Sequence, residues 1–313
     1  MVEQNTERQP ALKSGNSIAV ILLLLLTVAV TLVAVQGGGE EHELESQGSQ
    51  AASVNVPLSS EPATALVEAS NADEHALDPV LSIARDALVS MKKNVRDYQA
   101  TLLKRERIGG SLSGESVMEI KVINPSEAAG EKEAVPMHVY LKFTAPASSK
   151  GREVIWIEGR NNNQIVAHEG GFKNFLRMNL DPEGTIAMLG NRYPITGIGL
   201  TRLVEKLIEK GTRDRELGPC LVKVVDGEKV GERKCRLIQV THPTQEKGMD
   251  FHIAQIFFDE ERMIPLRYAA FGWPKKEGEA PPLEEEYTYL NVTLNVGMTP
   301  EDFSPDNPKY DYP

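Results

Sequence analysis

The sequence has little that would support catalysis or a disulfide-based scaffold. Its 313 residues include only two cysteines, and aromatic residues make up 6% of the chain. It has no His-Glu-x-x-His, Cys-x-x-Cys or Gly-x-Ser-x-Gly motif, which excludes common zinc sites and the nucleophile elbow of many hydrolases. The six histidines follow no metal-ligand spacing. We therefore expect no metal, no cofactor and no enzymatic activity.

Basic residues are absent from residues 36–78, which carry nine acids and no lysine or arginine. The formal net charge is −11, yet residues 79–313 hold 34 acids against 32 bases and are nearly neutral. A nucleic-acid binder needs a basic surface to neutralise phosphates. The charge distribution therefore excludes nucleic acid as a partner. Most of the net negative charge lies in residues 36–78, which we interpret as a tether.

One long apolar run, Ile18 to Val35, contains 18 uncharged residues. As a helix, at about 1.5 Å per residue, it nearly spans a hydrocarbon core of roughly 30 Å. It is longer than the usual core of a signal peptide, and no good small-x-small cleavage site follows it. We expect an uncleaved transmembrane signal anchor. The alternative is a cleaved export signal, which would leave a periplasmic or secreted protein.

The charges around this run predict its orientation. Arg8 and Lys13 precede it and the next base is Arg85, so the positive-inside rule places residues 1–17 in the cytoplasm. Residues 36–76 are rich in Gly, Ser, Glu and Ala and should form a flexible acidic linker. Residues 77–313 then form one globular domain outside the cytoplasm, held at the inner membrane by a single pass.

The globular part should begin with a helix. Asp78 and Pro79 suit the N-cap and the first helical position, and apolar residues recur at helical spacing over 79–94. Strand character follows in eleven segments: 95–108, 113–124, 136–145, 152–158, 163–169, 173–180, 219–226, 232–241, 251–259, 263–272 and 284–296. Short connections between them indicate hairpins and an antiparallel sheet.

Helical segments interrupt the strands once. Residues 183–190 are a short candidate, and a second apolar stripe from Leu200 to Ile208 stops at Lys210-Gly211. Since a sheet of about eleven strands rarely stays flat and open, it should curl around a helix. The predicted fold is α+β, with a curved antiparallel sheet, an incomplete barrel, packed on helices.

Four segments carry a resemblance to a known family: YQATLLKRERIGG (98–110), EVIWIEGRNN (153–162), VGERKCRLIQVTHP (230–243) and RMIPLRYAAFGWP (262–274). They look like an uncharacterised bacterial envelope domain family close to the LolA/LolB-like lipoprotein-carrier fold. That resemblance covers about residues 77–313. It implies an incomplete barrel whose concave apolar face is covered by helices, and a lipid or lipoprotein as the ligand to expect.

The two cysteines could form a disulfide. Cys220 and Cys235 lie almost symmetrically about Asp226-Gly227-Glu228-Lys229, so a hairpin there would bring them together across two strands. An oxidising compartment would favour the bond. A one-residue slip of the strand register would prevent it.

The apolar alternation of the strands is the main functional signal. Residues that could line a concave face are Tyr98, Leu102, Val139, Leu141, Phe143, Trp156, Leu237, Phe257, Leu290 and Val292. We expect the ligand contacts to include Tyr98, Leu102, Leu141, Phe143, Trp156 and Val292, with Leu203 and Leu207 from the covering helix. The same residues would also serve as ordinary core.

Two functions of different classes remain open. In the first, the domain is a binding module that holds an acyl chain under residues 183–210, which act as a movable lid. In the second, it is an anchored sensor or interaction domain that presents a sheet surface to an envelope protein and has a solidly packed interior. Five apolar residues within nine on the second helix favour a permanently seated helix and count against the first function. We nevertheless expect the binding module, with the sensor or interaction domain as the alternative.

Overall fold

The computed structural model describes residues 75–128 and 133–313. The predicted cytoplasmic segment and membrane anchor, and nearly all of the predicted linker, lie outside these residues. Three α-helices are present in the described part: α1 (Asp78–Asn94), α2 (Thr185–Met188) and α3 (Leu200–Leu217). No helix of residues 75–128 and 133–313 is long and apolar enough to cross a membrane.

All eleven predicted strands are present, and a two-residue strand that pairs only with the end of β1 is added to them. The strands are β1 (Asp97–Ile108), β2 (Ser111–Leu112), β3 (Ser116–Ile123), β4 (His138–Ala145), β5 (Glu153–Ile157), β6 (Ile165–His168), β7 (Met178–Leu180), β8 (Leu221–Val230), β9 (Arg233–Thr241), β10 (Ile253–Asp259), β11 (Pro265–Phe271) and β12 (Leu283–Leu294).

The strands form one antiparallel sheet in the order β7-β6-β5-β4-β3-β1-β12-β11-β10-β9-β8. The long strands β1 and β12 pair at its centre, so the first and last strands of the domain are neighbours. The sheet is curved and unclosed, because β7 and β8 end the path without pairing to each other in the described residues. The predicted α+β fold with an incomplete antiparallel barrel is confirmed.

The predicted disulfide is wrong, because the turn between β8 and β9 is not at Asp226-Gly227. Val230 pairs with Arg233, so the turn lies at Gly231-Glu232, and Cys235 pairs with Glu228. Cys220 is therefore roughly 20 Å or more away along the chain, at about 3.3 Å per residue. Both cysteines are free and buried, and burial raises the pKa of each thiol to about 11.

The two long helices pack on each other, and their ends differ from the prediction. Asp78 does not cap α1; it is the first helical residue, and its carboxylate pairs with Arg215 of α3 at 2.6 Å. Gly211 does not end α3, which continues to Leu217. A Cβ on Gly211 would lie 2.9 Å from Leu81 Cδ2 of α1. The glycine therefore permits close approach of the helices.

The C-terminal segment covers the other face of β3 to β6. Tyr310 stacks on Tyr140 with ring centroids 4.2 Å apart, and Tyr312 meets His168 edge-on at 4.4 Å. Phe303 is buried in the same small cluster with Ile123. This half of the sheet is thus covered on both faces, by helices on one and by the chain end on the other.

Candidate functional site

The predicted apolar residues form continuous rows on the helix-covered face of the sheet. Tyr98 pairs with Val122, Val122 with Val139, and Val139 with Trp156, across four neighbouring strands. Residues directly opposite each other in antiparallel strands share a face. All four side chains are buried.

The remaining strand residues of the prediction join the same core. Leu102 and Leu141 are buried, while Phe143 and Val292 are half-buried and pack against them. Val292 lies where β12 has a bulge opposite Ala100, which shifts the register between Gln99 and Thr101. The structure therefore brings together all six strand residues, but as packed core.

The two predicted lid residues lie at the margin of the buried face of α3. Leu200 and Val204 are completely buried, whereas Leu203 and Leu207 are half-buried and pack against the core. The residues at the centre of the helix contact, Leu200 and Val204, therefore lie about one helical turn before the residues we expected. Leu203 and Leu207 remain partly accessible from solvent.

Polar contacts hold the N-terminus of α3 on the sheet. The Leu200 amide donates to the Tyr98 hydroxyl at 3.1 Å, and the Thr201 hydroxyl donates to Asn124 Oδ1 at 2.8 Å. Burial raises the pKa of Tyr98 well above its usual value, so the phenol stays neutral. Gly199 has φ +118°, and a Cβ there would lie 3.3 Å from that hydroxyl. This glycine therefore allows close docking of the helix start.

A cavity of about 60 Å³ lies under the C-terminal half of α3. Eleven of its fourteen lining residues have apolar side chains; the exceptions are Lys210, Gly211 and Asp214. The lining residues are Leu77, Val80, Leu81, Ala84, Leu207, Lys210, Gly211, Asp214, Ile238, Val240, Phe251, Ala254, Ile256 and Phe258.

Of the predicted ligand contacts, only Leu207 lines this cavity. The strand prediction chose Leu237 and Phe257, which pair with each other on the face opposite to the cavity. The cavity is lined instead by their neighbours Ile238 and Ile256, which also pair. Both faces of β10 are buried, so hydrophobicity alone could not identify the correct face.

Two buried ionisable residues lie beside this cavity. His242 Nε2 is 3.4 Å from Asp214 Oδ2, and both side chains are almost fully buried. The His242 ring also packs on Phe251, with centroids 4.9 Å apart. Neither ring nitrogen has a hydrogen-bond partner among the described residues. The pair joins α3 to the end of β9 through a weak contact.

The segment before α3 and Lys210, in the C-terminal half of α3, close over a polar cluster. Glu285 of β12 accepts hydrogen bonds from the hydroxyls of Tyr193 at 3.3 Å and Tyr268 at 3.2 Å. The Tyr287 hydroxyl donates to Glu106 of β1 and lies 3.4 Å from Glu285. Both carboxylates are only 2% exposed, and they form the polar end of an otherwise apolar face.

Cations from the helical insertion complete this cluster. Arg192 Nε lies 3.5 Å from Glu285, and the Arg192 amide donates to Glu106 at 3.1 Å. Lys210 of α3 lies 3.8 Å from Glu285. Burial lowers the pKa of Lys210. The nearby Glu285 carboxylate, with weaker contributions from other groups, raises it by more, so the net pKa lies above the usual lysine value. Lys210 therefore stays charged and holds α3 to the sheet.

Lys104 and Glu106 bring charge into this cluster from β1. Strand alternation places both on the same face as Leu102, and such a charged run in a strand ordinarily forms a solvated outer surface. Lys104 instead donates to Asn191 at 2.6 Å and pairs with Glu106 at 2.9 Å. The signal for burial was Leu102, a buried apolar residue on the same face two positions before Lys104.

The site is suited to binding an apolar group with a polar end. In residues 75–128 and 133–313, no group of three or more His, Cys, Asp or Glu side chains is arranged to hold a metal ion. The apolar face, the cavity and the polar cluster all lie beneath the same helix. Lys210 belongs to both the cavity lining and the polar cluster, so apolar walls and a charged group meet under α3.

A family model described as a protein of unknown function, DUF1571, matches residues 95–312, which is more than half of the chain. The chain belongs to the DUF1571 family. The predicted resemblance to an uncharacterised family is thereby confirmed. A search of curated proteins gives no match.

Solved structures similar to this DUF1571 protein share little sequence with it. One is a putative outer membrane lipoprotein-sorting protein domain from Vibrio parahaemolyticus, at 13% identity over 72% of this chain and 95% of that one, with TM-score 0.34. Another is the lipoprotein LppX from Mycobacterium tuberculosis, at 13% over 71% and 98%, with TM-score 0.38. The Pseudomonas aeruginosa MucA/MucB complex matches at 16% over 71% and 60%, with TM-score 0.39. Similarity at this level carries no argument about ligand or partner.

Proposed function

We propose that residues 77–313 form a non-catalytic extracytoplasmic module that holds an acyl chain of a lipid or lipoprotein between the sheet and α3. The apolar cavity beneath α3 is the observation that supports this function most directly. Most of its lining residues belong to the same hydrophobic core as the strand residues predicted from the sequence. In this proposal the domain is anchored at the inner membrane by Ile18 to Val35.

In this proposal the structure represents the closed state of the module. The cavity of about 60 Å³ is far below the 300–1,000 Å³ that is typical of ligand pockets. Binding therefore requires the C-terminal half of α3 to move away from the sheet. The contacts of Tyr98 and Asn124 would retain the N-terminal end as the pivot.

A photoactivatable fatty acid tests this function in the full-length chain. We expect crosslinks to map to the cavity residues Ile238 and Ile256. Leu221, an exposed residue on edge strand β8, is an internal control that should not be labelled. Absence of crosslinks to the cavity lining would reject the acyl-binding function.

Leu207→Ala should increase this labelling. The substitution removes a side chain from the cavity wall and so enlarges the apolar space, at a cost of about 2 kcal/mol of unfolding free energy. Leu203→Ala is the matched control, since Leu203 is equally half-buried on the same helix but does not line the cavity. Labelling yield and urea unfolding of the two variants check the prediction. Equal yields would show that acyl chains do not occupy this cavity.

The second candidate is an envelope interaction domain with a closed interior. The complete burial of Tyr98, Leu102 and Trp156 favours it, since little space remains among these residues. In that case the sheet would be a platform for a protein partner. The fatty acid would then label no interior residue of the full-length chain.

A further inference from the structure

Exposed apolar residues are concentrated in one short segment of the domain. Ten large apolar side chains are exposed in the described residues, and five of them fall within residues 172–189. These five are Phe172, Phe175, Leu176, Ile186 and Leu189. Clusters of this kind mark surfaces that contact another molecule or a membrane.

The most exposed part is the loop of residues 170–177 between β6 and β7, which we call the 170–177 loop. Phe172 is 90% exposed, Phe175 75% and Leu176 55%. Three large apolar side chains within five residues are therefore largely in contact with water. Nothing in the core requires them, because the adjoining strands β6 and β7 pair without them.

The loop itself is held firmly at its base. A Cβ on Gly170 would lie 2.2 Å from the Lys150 carbonyl oxygen, so the two backbones are in close contact. Asn174 Nδ2 donates to the carbonyl of Asp311, and Arg177 pairs with Asp306 at 3.3 Å. The exposed phenylalanines are thus presented by a loop with fixed ends.

The charges around the loop favour an anionic surface. Lys150 and Lys173 are exposed, and neither has an ion-pair partner among the described residues. The acids near the loop are already paired: Glu169 with Arg152 at 2.9 Å, Asp306 with Arg177 at 3.3 Å, and Asp311 with Lys142 at 3.1 Å. The Lys173 ammonium lies 5.8 Å from the Phe172 ring centroid. Aromatic and aliphatic side chains flanked by free lysines suit the headgroup region of an anionic bilayer.

We propose that the 170–177 loop, together with Lys150, docks the domain on an anionic phospholipid membrane. Phe172, Phe175 and Leu176 enter the boundary between headgroups and acyl chains, and the two lysines bind lipid phosphates. The loop leads directly into β7, where Leu180 packs on the main core. Docking therefore places an edge of the sheet against the bilayer. This role is independent of acyl-chain binding.

Tryptophan fluorescence at the loop tests the proposal in the full-length chain. The full-length variant Phe172→Trp would be reconstituted in vesicles of phosphatidylglycerol and phosphatidylcholine that carry brominated acyl chains. We expect its emission to shift to shorter wavelength and to be quenched by bromine. Leu221→Trp is the matched control, since Leu221 is an exposed apolar residue on the opposite edge strand β8. The parent chain, which contains Trp156 and Trp273, is measured in the same vesicles and its signal is subtracted. The remaining readout is local to the introduced tryptophan, so the predicted anchor at residues 18–35 does not produce it.

Charge reversal at Lys150 and Lys173 measures the electrostatic contribution to membrane docking. Lys150→Glu and Lys173→Glu in the Phe172→Trp background should each weaken docking on anionic vesicles about 30-fold, because each reversal changes the surface charge by two units, with little change on neutral vesicles. Equal bromine quenching of Phe172→Trp and Leu221→Trp would overturn the proposal. So would protection of the introduced loop tryptophan from aqueous acrylamide without bromine quenching, because the loop would then contact protein instead of lipid.

Discussion

Val204→Asp is expected to detach α3 while the sheet remains folded. Val204 is completely buried against the sheet, and an uncompensated buried charge costs about 3–5 kcal/mol. A helix that can leave the sheet avoids this cost, so the loss in unfolding free energy is limited to the free energy of detaching α3 as a whole, including its N-terminal contacts with Tyr98 and Asn124. Hydrogen exchange should show loss of protection in residues 200–217 and retained protection in β1 and β3. Binding of a hydrophobic dye should rise.

Lys206→Asp is the matched control on the same helix. Lys206 is exposed and makes only a surface pair with Glu209 at 3.7 Å, so this substitution should change stability by less than about 1 kcal/mol. If Val204→Asp instead unfolds helix and sheet together at the full cost, α3 is permanent core. That result would favour the interaction domain over the acyl-binding module.

The strands were predictable because their signal is local. Alternation and turn residues depend on neighbours within a few positions, and all eleven segments became strands. The β8–β9 turn was misplaced because Asp226-Gly227 is a strong turn signal within a bulged strand. Once the turn moved, the register of Cys220 and Cys235 changed and the disulfide was lost.

The cavity was less predictable, because its position depends on which face of each strand the helices cover. In β1 and β4 one face was clearly more apolar, and Leu102 and Leu141 were assigned correctly. In β10 every residue is buried, so the pattern carried no information about the face. The glycine that brings the two helices together, Gly211, was read as a helix end because a helical glycine more often marks a terminus.

The polar cluster was beyond sequence reasoning for a different reason. Glu106 and Glu285 are 179 positions apart in the chain and meet only because β1 and β12 pair at the centre of the sheet. A carboxylate that is buried needs several donors to offset the loss of water. Those donors come from three strands and the insertion before α3, and only the tertiary fold collects them.

The polar cluster and the cavity have opposite effects on how firmly α3 is held to the sheet. The cavity and the half-buried Leu207 leave the helix loosely packed at one point. The contacts of Lys210 and Arg192 with Glu285 act against opening. If the contacts of Glu285 with Arg192 and Lys210 determine the free energy of lid opening, the resting state is closed and opens at a small free-energy cost.

Glu285→Gln should therefore weaken closure more than any other conservative change in the cluster. The substitution keeps the shape but removes the charge that faces Arg192 and Lys210, at an expected cost of about 3 kcal/mol. Glu284→Gln is the matched control, because Glu284 is the adjacent residue, is more exposed, and pairs with Arg107 at 3.3 Å and Arg192 at 3.7 Å. Its cost should stay below about 1 kcal/mol.

Urea unfolding and hydrogen exchange of these two variants distinguish a latch from a purely structural cluster. If Glu285 holds the lid closed, Glu285→Gln raises exchange in α3 and in residues 189–198 before it affects β11 and β12. Labelling by the photoactivatable fatty acid should then increase as well, because the open state becomes more populated. A uniform loss of protection across α3, β11 and β12 would contradict the latch, since it would mean that helix and sheet form one cooperative unit.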